Sequence, residues 1–587
     1  MKPIINFTNK DFAKIKESLI NNAKTYYPDT NKNFSTTSFG SLVFDAVAYV
    51  GDILSFYTDY QYNEQFLDTA NEYKNIVKLA KQNGFLDKGR PSAQGKIAIY
   101  LKIPANSLGK PDTSYIPILK AGSKIQSSNG VNYLLSEDLD FNSPTTRYVV
   151  ATTNNSGIPT EYAIKNYGNC ISGDLYIQTE TITSYSDFLK IKIKNPYLSE
   201  IITVLDSAGN EYFEVDYLTQ NIIFKSIKNT NTLSNFYAPY IIQKHYAPRR
   251  FIIENIDGFY NLVFGNGIYD AMKDPSSVAI DRYGRTYESN ANFDPSNITK
   301  SDKFGIGPQN TTITIAYRAN TNENSNSSIG SLNKIINPLL EFQYDGLSIS
   351  TINSIKASIL IENEEPIVGS SLFLTQDELK IKAYGSFSSQ NRCVTANDYV
   401  TYCYNMSPKF GQIKRASISR NPLSAKNSLS LFVISEDQNN NLIQTNTTVK
   451  ENLKKWLESK KMINDIINIQ DAKIANIAIE FTVQSYANAN KFLVLAECYS
   501  ALRQKFLTKL NIGEPLLIDE IYKTLNLLPS VVDTKKIKIK NKTSTGYSSY
   551  VFDIDSNLSS DNKKLEVDIS TILEIKYLEK DIIGHVI

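Results

Sequence analysis

Few side chains in this chain have both the type and the spacing to do chemistry. Two histidines, His245 and His585, stand far apart, too little material for a His-based triad or a histidine metal cluster. His585 lies beside the C-terminal end, where fraying is common, and structural or surface roles are expected for both. VFGNGIYD, residues 263–270, carries a Gly-x-Gly that could cradle a phosphate. A dinucleotide fingerprint needs a third glycine and a following helix, and MKDPSS at 272–277 would break one, so the sequence predicts a tight turn at Gly265 and Gly267 closing a strand. Asp553, Asp555 and Asn557 mimic the start of a calcium loop, yet Leu558 and Lys564 stand where Gly and Glu are required. Cys170, Cys393, Cys403 and Cys498 are scattered without Cys-x-x-Cys spacing and read as reduced, buried thiols. The 60 acidic residues guarantee close carboxylate pairs in space, but spacing singles out none as a glycosidase pair. The sequence thus points to no catalytic residue, no metal site and no cofactor.

At 587 residues and 41% hydrophobic content the chain can bury several cores, and about three to five domains are expected. Its 62 basic and 60 acidic residues nearly cancel, which leaves no electrostatic footprint for nucleic acid or anionic lipid. No apolar run of about 18 residues is expected to span a bilayer, and the start MKPIINFTNKDF lacks the apolar core of a signal peptide. The expectation is a protein that stays where it is made.

The dominant element is Ser38 to Ala70, SFGSLVFDAVAYVGDILSFYTDYQYNEQFLDTA. With Phe39 at 0° and about 100° per residue, Leu42, Val43, Ala46, Val47, Val50, Ile53, Leu54 and Tyr57 fall within an arc of about 140°. That stripe is expected to face the core of a helical head. Ser41, Asp45, Asp52, Ser55 and Asp59 lie opposite. Tyr49, Phe56 and Tyr60 flank the stripe on one side, Gly40 and Gly51 on the other. Neither flank is needed by a lone surface helix, so these five residues are the candidate partner surface, with Gly51 placed for close approach of a neighbouring backbone.

A short helix with Phe12, Ile15, Leu19 and Ile20 precedes this element and is broken at Pro28. A third helix, Asn71 to Asn83, closes at Gly84. The period then changes to 2: Ile97, Ile99, Leu101 and Ile103 alternate with Lys96, Ala98, Tyr100 and Lys102 as in a strand. Further strands are expected at 189–194, 212–217, 222–225, 313–317 and 477–483. The Asn- and Ser-rich TNENSNSS, residues 321–328, reads as an exposed loop. Helices return after residue 350, with capping boxes at Thr375/Glu378 and Thr448/Glu451, and with helices at 492–510 and 519–525. The reading is an α+β multidomain chain: an N-terminal helical segment (1–92), two β-rich domains (93–245 and 246–345) and two mixed domains (346–485 and 486–587).

In its motifs the chain resembles the baseplate J-like wedge proteins of contractile-tailed bacteriophages, within them the T-even-type wedge subunit. FGSLVFDAVAYVGDILSFYTDYQYNEQFLDTANEYKNIVKLAKQNGF is similar to that family's opening helices, with AYVGD leading to E-x-F-L-x-T-A and a helix ending in G-F. ILKAGSKI at 118–125, VFGNG at 263–267 and NRCVTANDY at 391–399 follow in the family's order. Lys120 stands where Pro is usual and Asn266 where an acid is usual. Thr395 and Asp398 also read as a capping box, with Val394 and Tyr399 as its staple. The resemblance implies a virion structural protein without cofactor, in the inner ring of the tail baseplate, assembled in the host cytoplasm. It implies a dimer of the chain within each wedge and a ring between wedges. It implies companion wedge subunits bound through the N-terminal helices, sheath-initiating and hub proteins as further neighbours, and no nucleic acid or membrane. Such a ring couples host recognition to sheath contraction. A tail-associated polysaccharide-degrading enzyme and a receptor-binding tail protein are the alternatives.

Overall fold

The computed structural model describes residues 11–27, 38–142, 146–229, 240–256, 258–267, 304–321, 324–371, 374–420 and 428–587. The chain is α+β and multidomain, helical at its start, mainly β in the middle and mixed toward the end. Among the described residues the helices are α1 (Phe12–Tyr26), α2 (Phe39–Asn63), α3 (Tyr73–Gln82), α4 (Ile349–Ala357), α5 (Gln376–Ser389), α6 (Ala396–Tyr404), α7 (Thr447–Glu458), α8 (Lys491–Phe506) and α9 (Ile518–Asn526). Two compact units divide the chain. The first takes Met1–Asp87, Asn255–Gly258 and Leu374–Gln390; the second takes Lys88–Glu254, Phe259–Phe373 and Asn391–Ile587.

The first unit joins α1, α2 and α3 to α5. Thr375 caps α5 as its spacing predicts: its hydroxyl accepts from Glu378 N, and the Glu378 carboxylate accepts from Thr375 N at 3.0 Å. Leu379 and Ala383 then bury against Leu67, Ala70, Ile76 and Ala80, with Leu374 packed at the edge. α3 ends in a Schellman turn: Phe85 N–H donates to Ala80 O and Gly84 N–H to Lys81 O, which needs the left-handed φ of +85° at Gly84.

The second unit holds the sheets. Strand Gln94–Pro104 pairs along its length with Pro159–Ser172 in a seven-stranded sheet. Its Ile97, Ile99, Leu101 and Ile103 enter one core with Tyr133 and Phe141. Strands Asp174–Ile182, Leu198–Leu205 and Thr311–Ala319 form a three-stranded antiparallel sheet, and they share a second core with Phe251, Tyr260 and Phe264. Cores around α6 and α7 and around α8 and α9 complete the unit.

Three expectations are corrected here. Ser325, Asn326 and Ser327 are buried rather than looped out, because their polar groups are satisfied. Tyr133 Oη donates to Ser325 O at 2.6 Å and pairs with Ser327 Oγ at 2.7 Å, and Asn326 Nδ2 donates to Glu436 O at 3.0 Å. α7 is capped by Asn446, whose Oδ1 accepts from Val449 N at 2.9 Å, and not by Thr448, which lies inside the helix. His585 is held in strand Ile582–Val586, paired in register with Thr482, rather than in a frayed end.

Candidate assembly face

α2 is the longest described helix, and it is oriented against its own hydrophobicity. Ser38 starts it, its Oγ accepting from Ser41 N at 3.2 Å. Ser41, Ala48, Asp59 and Asn63 are its buried residues. Phe39 is 80% exposed, Leu42 65%, Val50 55%, Leu54 61% and Tyr57 58%. The stripe expected to face a core therefore faces outward, and the polar side faces inward. Small and short side chains let this happen: a Cβ at Gly51 would lie only 3.2 Å from Ile15 Cδ1 of α1. Beside it Lys16 Nζ meets Asp45 Oδ1 at 2.6 Å.

The apolar side chains of this helix follow two overlapping seams whose spacing alternates between three and four residues, exposed except for the half-buried Ile53 and Tyr60. Leu42, Ala46, Tyr49, Ile53, Phe56 and Tyr60 make one; Val43, Val47, Val50, Leu54 and Tyr57 make the other. A single helix packed by heptads uses one such seam, so a two-seam face suits two neighbouring helices. Neither seam contains a charge. Burying a half-exposed Val, Leu or Phe contributes about 1 kcal/mol. The whole face can contribute on the order of 5 to 10 kcal/mol gross, before association entropy is subtracted.

The corner after α2 explains the E-x-F-L-x-T-A motif. Glu64 is buried, and its carboxylate accepts from Asn71 N at 2.8 Å, from Glu72 N at 3.2 Å and from Asn75 Nδ2 at 2.9 Å. It thus supplies an anion to the N-terminus of α3, where the side chain of the cap residue Glu72 makes no capping bond. Leu67 and Ala70 enter the core, and Thr69 Oγ1 donates to Asn63 O at 2.6 Å, satisfying a carbonyl at the end of α2. Asp68 accepts the hydroxyl of Tyr384 from α5. Burial, then this carboxylate, pushes the Tyr384 phenol up to about 12. Sequence spacing did not disclose the role of Glu64, which reaches a helix end seven and eight residues away instead of the usual three.

The five flank residues are not all alike. Tyr49 and Phe56 are exposed. Tyr60 is half-buried, stacked on Phe56 with ring centroids 6.3 Å apart, and its hydroxyl donates to Glu72 at 2.9 Å, which raises its pKa. Gly40 is partly exposed on the first turn. Gly51 is occupied from within the chain, by α1.

The remaining sequence landmarks have structural accounts. Gly265 and Gly267 follow the end of strand Phe259–Phe264; Gly265 lets a second backbone segment, at Phe304 and Gly305, approach, and Gly267 bridges to Ile306. Lys120 forms ion pairs with Asp138 at 2.9 Å and Glu341 at 2.7 Å. The Thr395/Asp398 box is present: Asp398 Oδ2 accepts from Thr395 N at 2.8 Å and Val394 N at 3.1 Å. Tyr399 is buried there while Val394 stays exposed, so no staple forms. His245 packs edge-on against Phe213 with centroids 5.2 Å apart. Asp553 accepts from Ser556 N at 3.3 Å in a local turn. Residues 272–277 lie outside the described residues. Among the described residues no group of three or more His, Cys, Asp or Glu side chains could hold a metal. α2 is by length and composition apolar enough to cross a membrane, contrary to the expectation above. The expectation counted unbroken runs, whereas an 18-residue stretch of α2 reaches the required average with no more than two charged residues in it.

Comparison with known proteins converges on these same helices. Residues 11–82 match the family of the bacteriophage baseplate protein N-terminal domain. The chain is 24% identical over 423 residues to the baseplate wedge protein gp6 of Enterobacteria phage T4, a match covering 70% of this chain and 51% of that protein. It therefore spans about half the length of the curated relative it matches. Among solved structures, a chain of the anti-feeding prophage baseplate is similar at 10% identity and a TM-score of 0.27, over 95% of this chain and 89% of that one. A chain of the type VI secretion system TssK-TssF-TssG baseplate subcomplex is similar at 8% identity and a TM-score of 0.23, over 74% and 96%.

Proposed function

We propose that this protein is a structural subunit of the baseplate wedge of a contractile phage tail, and that the outward face of α2 is buried against helices of companion wedge subunits. One observation carries the reading: a helix of 25 residues turns its apolar side to solvent while α1 covers its polar side. A folded chain gains nothing from that arrangement alone; an assembly gains a preformed apolar surface. The family match over residues 11–82 and the similarity to a wedge protein support the choice of assembly. In this reading the chain pairs with a second copy, joins a ring between wedges and transmits host recognition to the sheath, with a structural rather than catalytic role. Assembly takes place in the host cytoplasm and the product resides in the tail baseplate.

Antibody labelling of tails in negative stain tests the placement: label at the tail end plate is expected, and label at the fibre tips would contradict it.

The membrane-crossing composition of α2 supports a second reading, a lipid-embedded helix. Against it, Asp45, Asp52 and Asp59 repeat every seven residues along one side, a costly row in hydrocarbon, and α2 contains no Lys or Arg for anionic headgroups. Flotation of the protein with vesicles of neutral and anionic lipid distinguishes the two, since the assembly reading predicts no flotation.

A further inference from the structure

Residues 89–94 stand at the start of the second unit and form neither helix nor strand before Gln94, yet they are largely buried. Arg90 is 3% exposed, Ser92 and Ala93 0% and Gln94 6%. A connecting segment ordinarily runs over the surface, because its backbone groups would otherwise lack partners. Here three separate cores supply the partners.

The core of Phe251 and Phe264 holds the first end. Arg90 N–H donates to Leu198 O at 2.7 Å, and its Nη1 donates to Asn320 O at 3.1 Å, next to Ala319 of that core. Gly89 makes the approach possible: its φ is +148°, and a Cβ there would lie 2.9 Å from Leu198 O. The core of Tyr133 and Phe141 holds the middle. Ala93 belongs to it, donates from its amide to Ser172 Oγ at 2.9 Å and accepts from Ser172 N at 2.8 Å. The core around α6 and α7 holds the far end. Gln94 N–H donates to Val368 O at 2.8 Å, and Asn452 Nδ2 of α7 donates to Gln94 Oε1 at 2.6 Å. Asn446 Nδ2 donates to Gln94 O at 2.5 Å. Because Asn446 also caps α7, its amide serves the helix with its oxygen and this segment with its nitrogen.

We infer that residues 89–94 are a strap that makes these three cores open as one body, a coupling that holds whether or not the face of α2 serves assembly. A core that left alone would strip partners from buried polar groups of the strap, and groups left unpaired in that way cost more than the bonds contribute when made. The strap thereby closes the route in which one core opens while the others stay shut. Load applied at the strap is shared by all three.

Hydrogen exchange of the full chain, read by mass spectrometry, tests this with peptides covering Ile99, Ile315 and Leu453, one fully buried residue from each core. In the parent their slowest amides are expected to exchange within about threefold of one another in dilute denaturant, as for one shared opening. Ile253→Val, inside the core of Phe251 and Phe264, is expected to quicken all three by the same factor. Loosening the strap should separate them. Arg90→Lys, which loses the fixed fork of the guanidinium, should quicken Ile315 at least about tenfold more than Ile99 and Leu453, and Gln94→Leu should single out Leu453 in the same way. Parent rates spread more widely than threefold would overturn the inference. So would an Ile253→Val effect confined to Ile315, or strap variants that quicken all three peptides alike or none.

Discussion

Ile15 of α1 rests on Gly51 of α2, so closely that a Cβ there would come within 3.2 Å of Ile15 Cδ1. This contact decides which side of α2 is spent inside the chain. α1 takes the side of Gly51, Ala48, Ser41 and Asp45, and the aromatic and aliphatic side is left over. The Lys16–Asp45 pair adds little, since it is partly exposed; the fit of Ile15 into the glycine gap matters more.

Gly51→Ala and Gly51→Leu should therefore separate. Ile15 Cδ1 is the flexible end of a side chain and can shift by a few tenths of an ångström. Ala also gains up to about 1 kcal/mol of helix propensity, so its effect is expected near zero or stabilising. Leu cannot be accommodated and should displace α1, read as faster proteolysis between residues 12 and 26 with the second unit's melting unchanged. Equal protection of α1 in both variants would show that the contact is incidental.

Glu64→Ala should loosen the start of α3. It removes three hydrogen bonds to a buried carboxylate, at a cost of about 1.5 to 3 kcal/mol. Glu64→Gln keeps one acceptor oxygen and should cost less. Hydrogen exchange at Asn71 and Glu72 reads the effect locally. Unchanged protection in the Ala variant would mean that water replaces the carboxylate without loss.

Asp398 predicts a pH dependence at the start of α6. Burial alone would raise its pKa, but the amides of Thr395 and Val394, the Thr395 hydroxyl and the Arg392 charge outweigh it, holding the carboxyl below 3.8. A depressed carboxylate stabilises the fold above its unfolded pKa, and that contribution is lost as pH falls through the folded value. Protection of the first α6 turn should be flat from about pH 5 to 7 and should fall below about pH 4. Asp398→Asn should remove the acid dependence; an identical acid profile in that variant would assign it to another group.

Tyr49→Ser with Phe56→Ser should impair assembly more than folding. Both side chains are exposed in the free chain, so the melting temperature is expected to change by no more than about 2 °C, while co-purification with wedge partners falls. A matched loss of both would place these residues in the chain's own core.

Helix and strand identities were largely legible in the sequence. The Thr375/Glu378 and Thr395/Asp398 boxes, the Gly84 terminus and the alternation from Lys96 to Ile103 are local signals with local causes. The direction α2 faces was not legible, because a helical wheel shows which residues share a side and not which side is covered first. Apolar was equated with inside, whereas Gly51, Ala48 and Ser41 decided the packing by size. The same limit hid the burial of Asn326, the recruitment of α5 by α3 and the reach of Glu64. Each depends on a partner distant in the chain.

Thiol labelling of α2 in two states tests the central claim most directly. Cys170, Cys393, Cys403 and Cys498 are all buried, and burial pushes the Cys498 thiol up to about 11 and those of Cys170 and Cys393 up to about 12. A cysteine introduced by Val50→Cys or Leu54→Cys is then the reactive thiol. Fast labelling in the free protein and at least tenfold slower labelling in assembled tails is the predicted result. Equal labelling rates in the two states would contradict the assignment of α2's outward face to assembly.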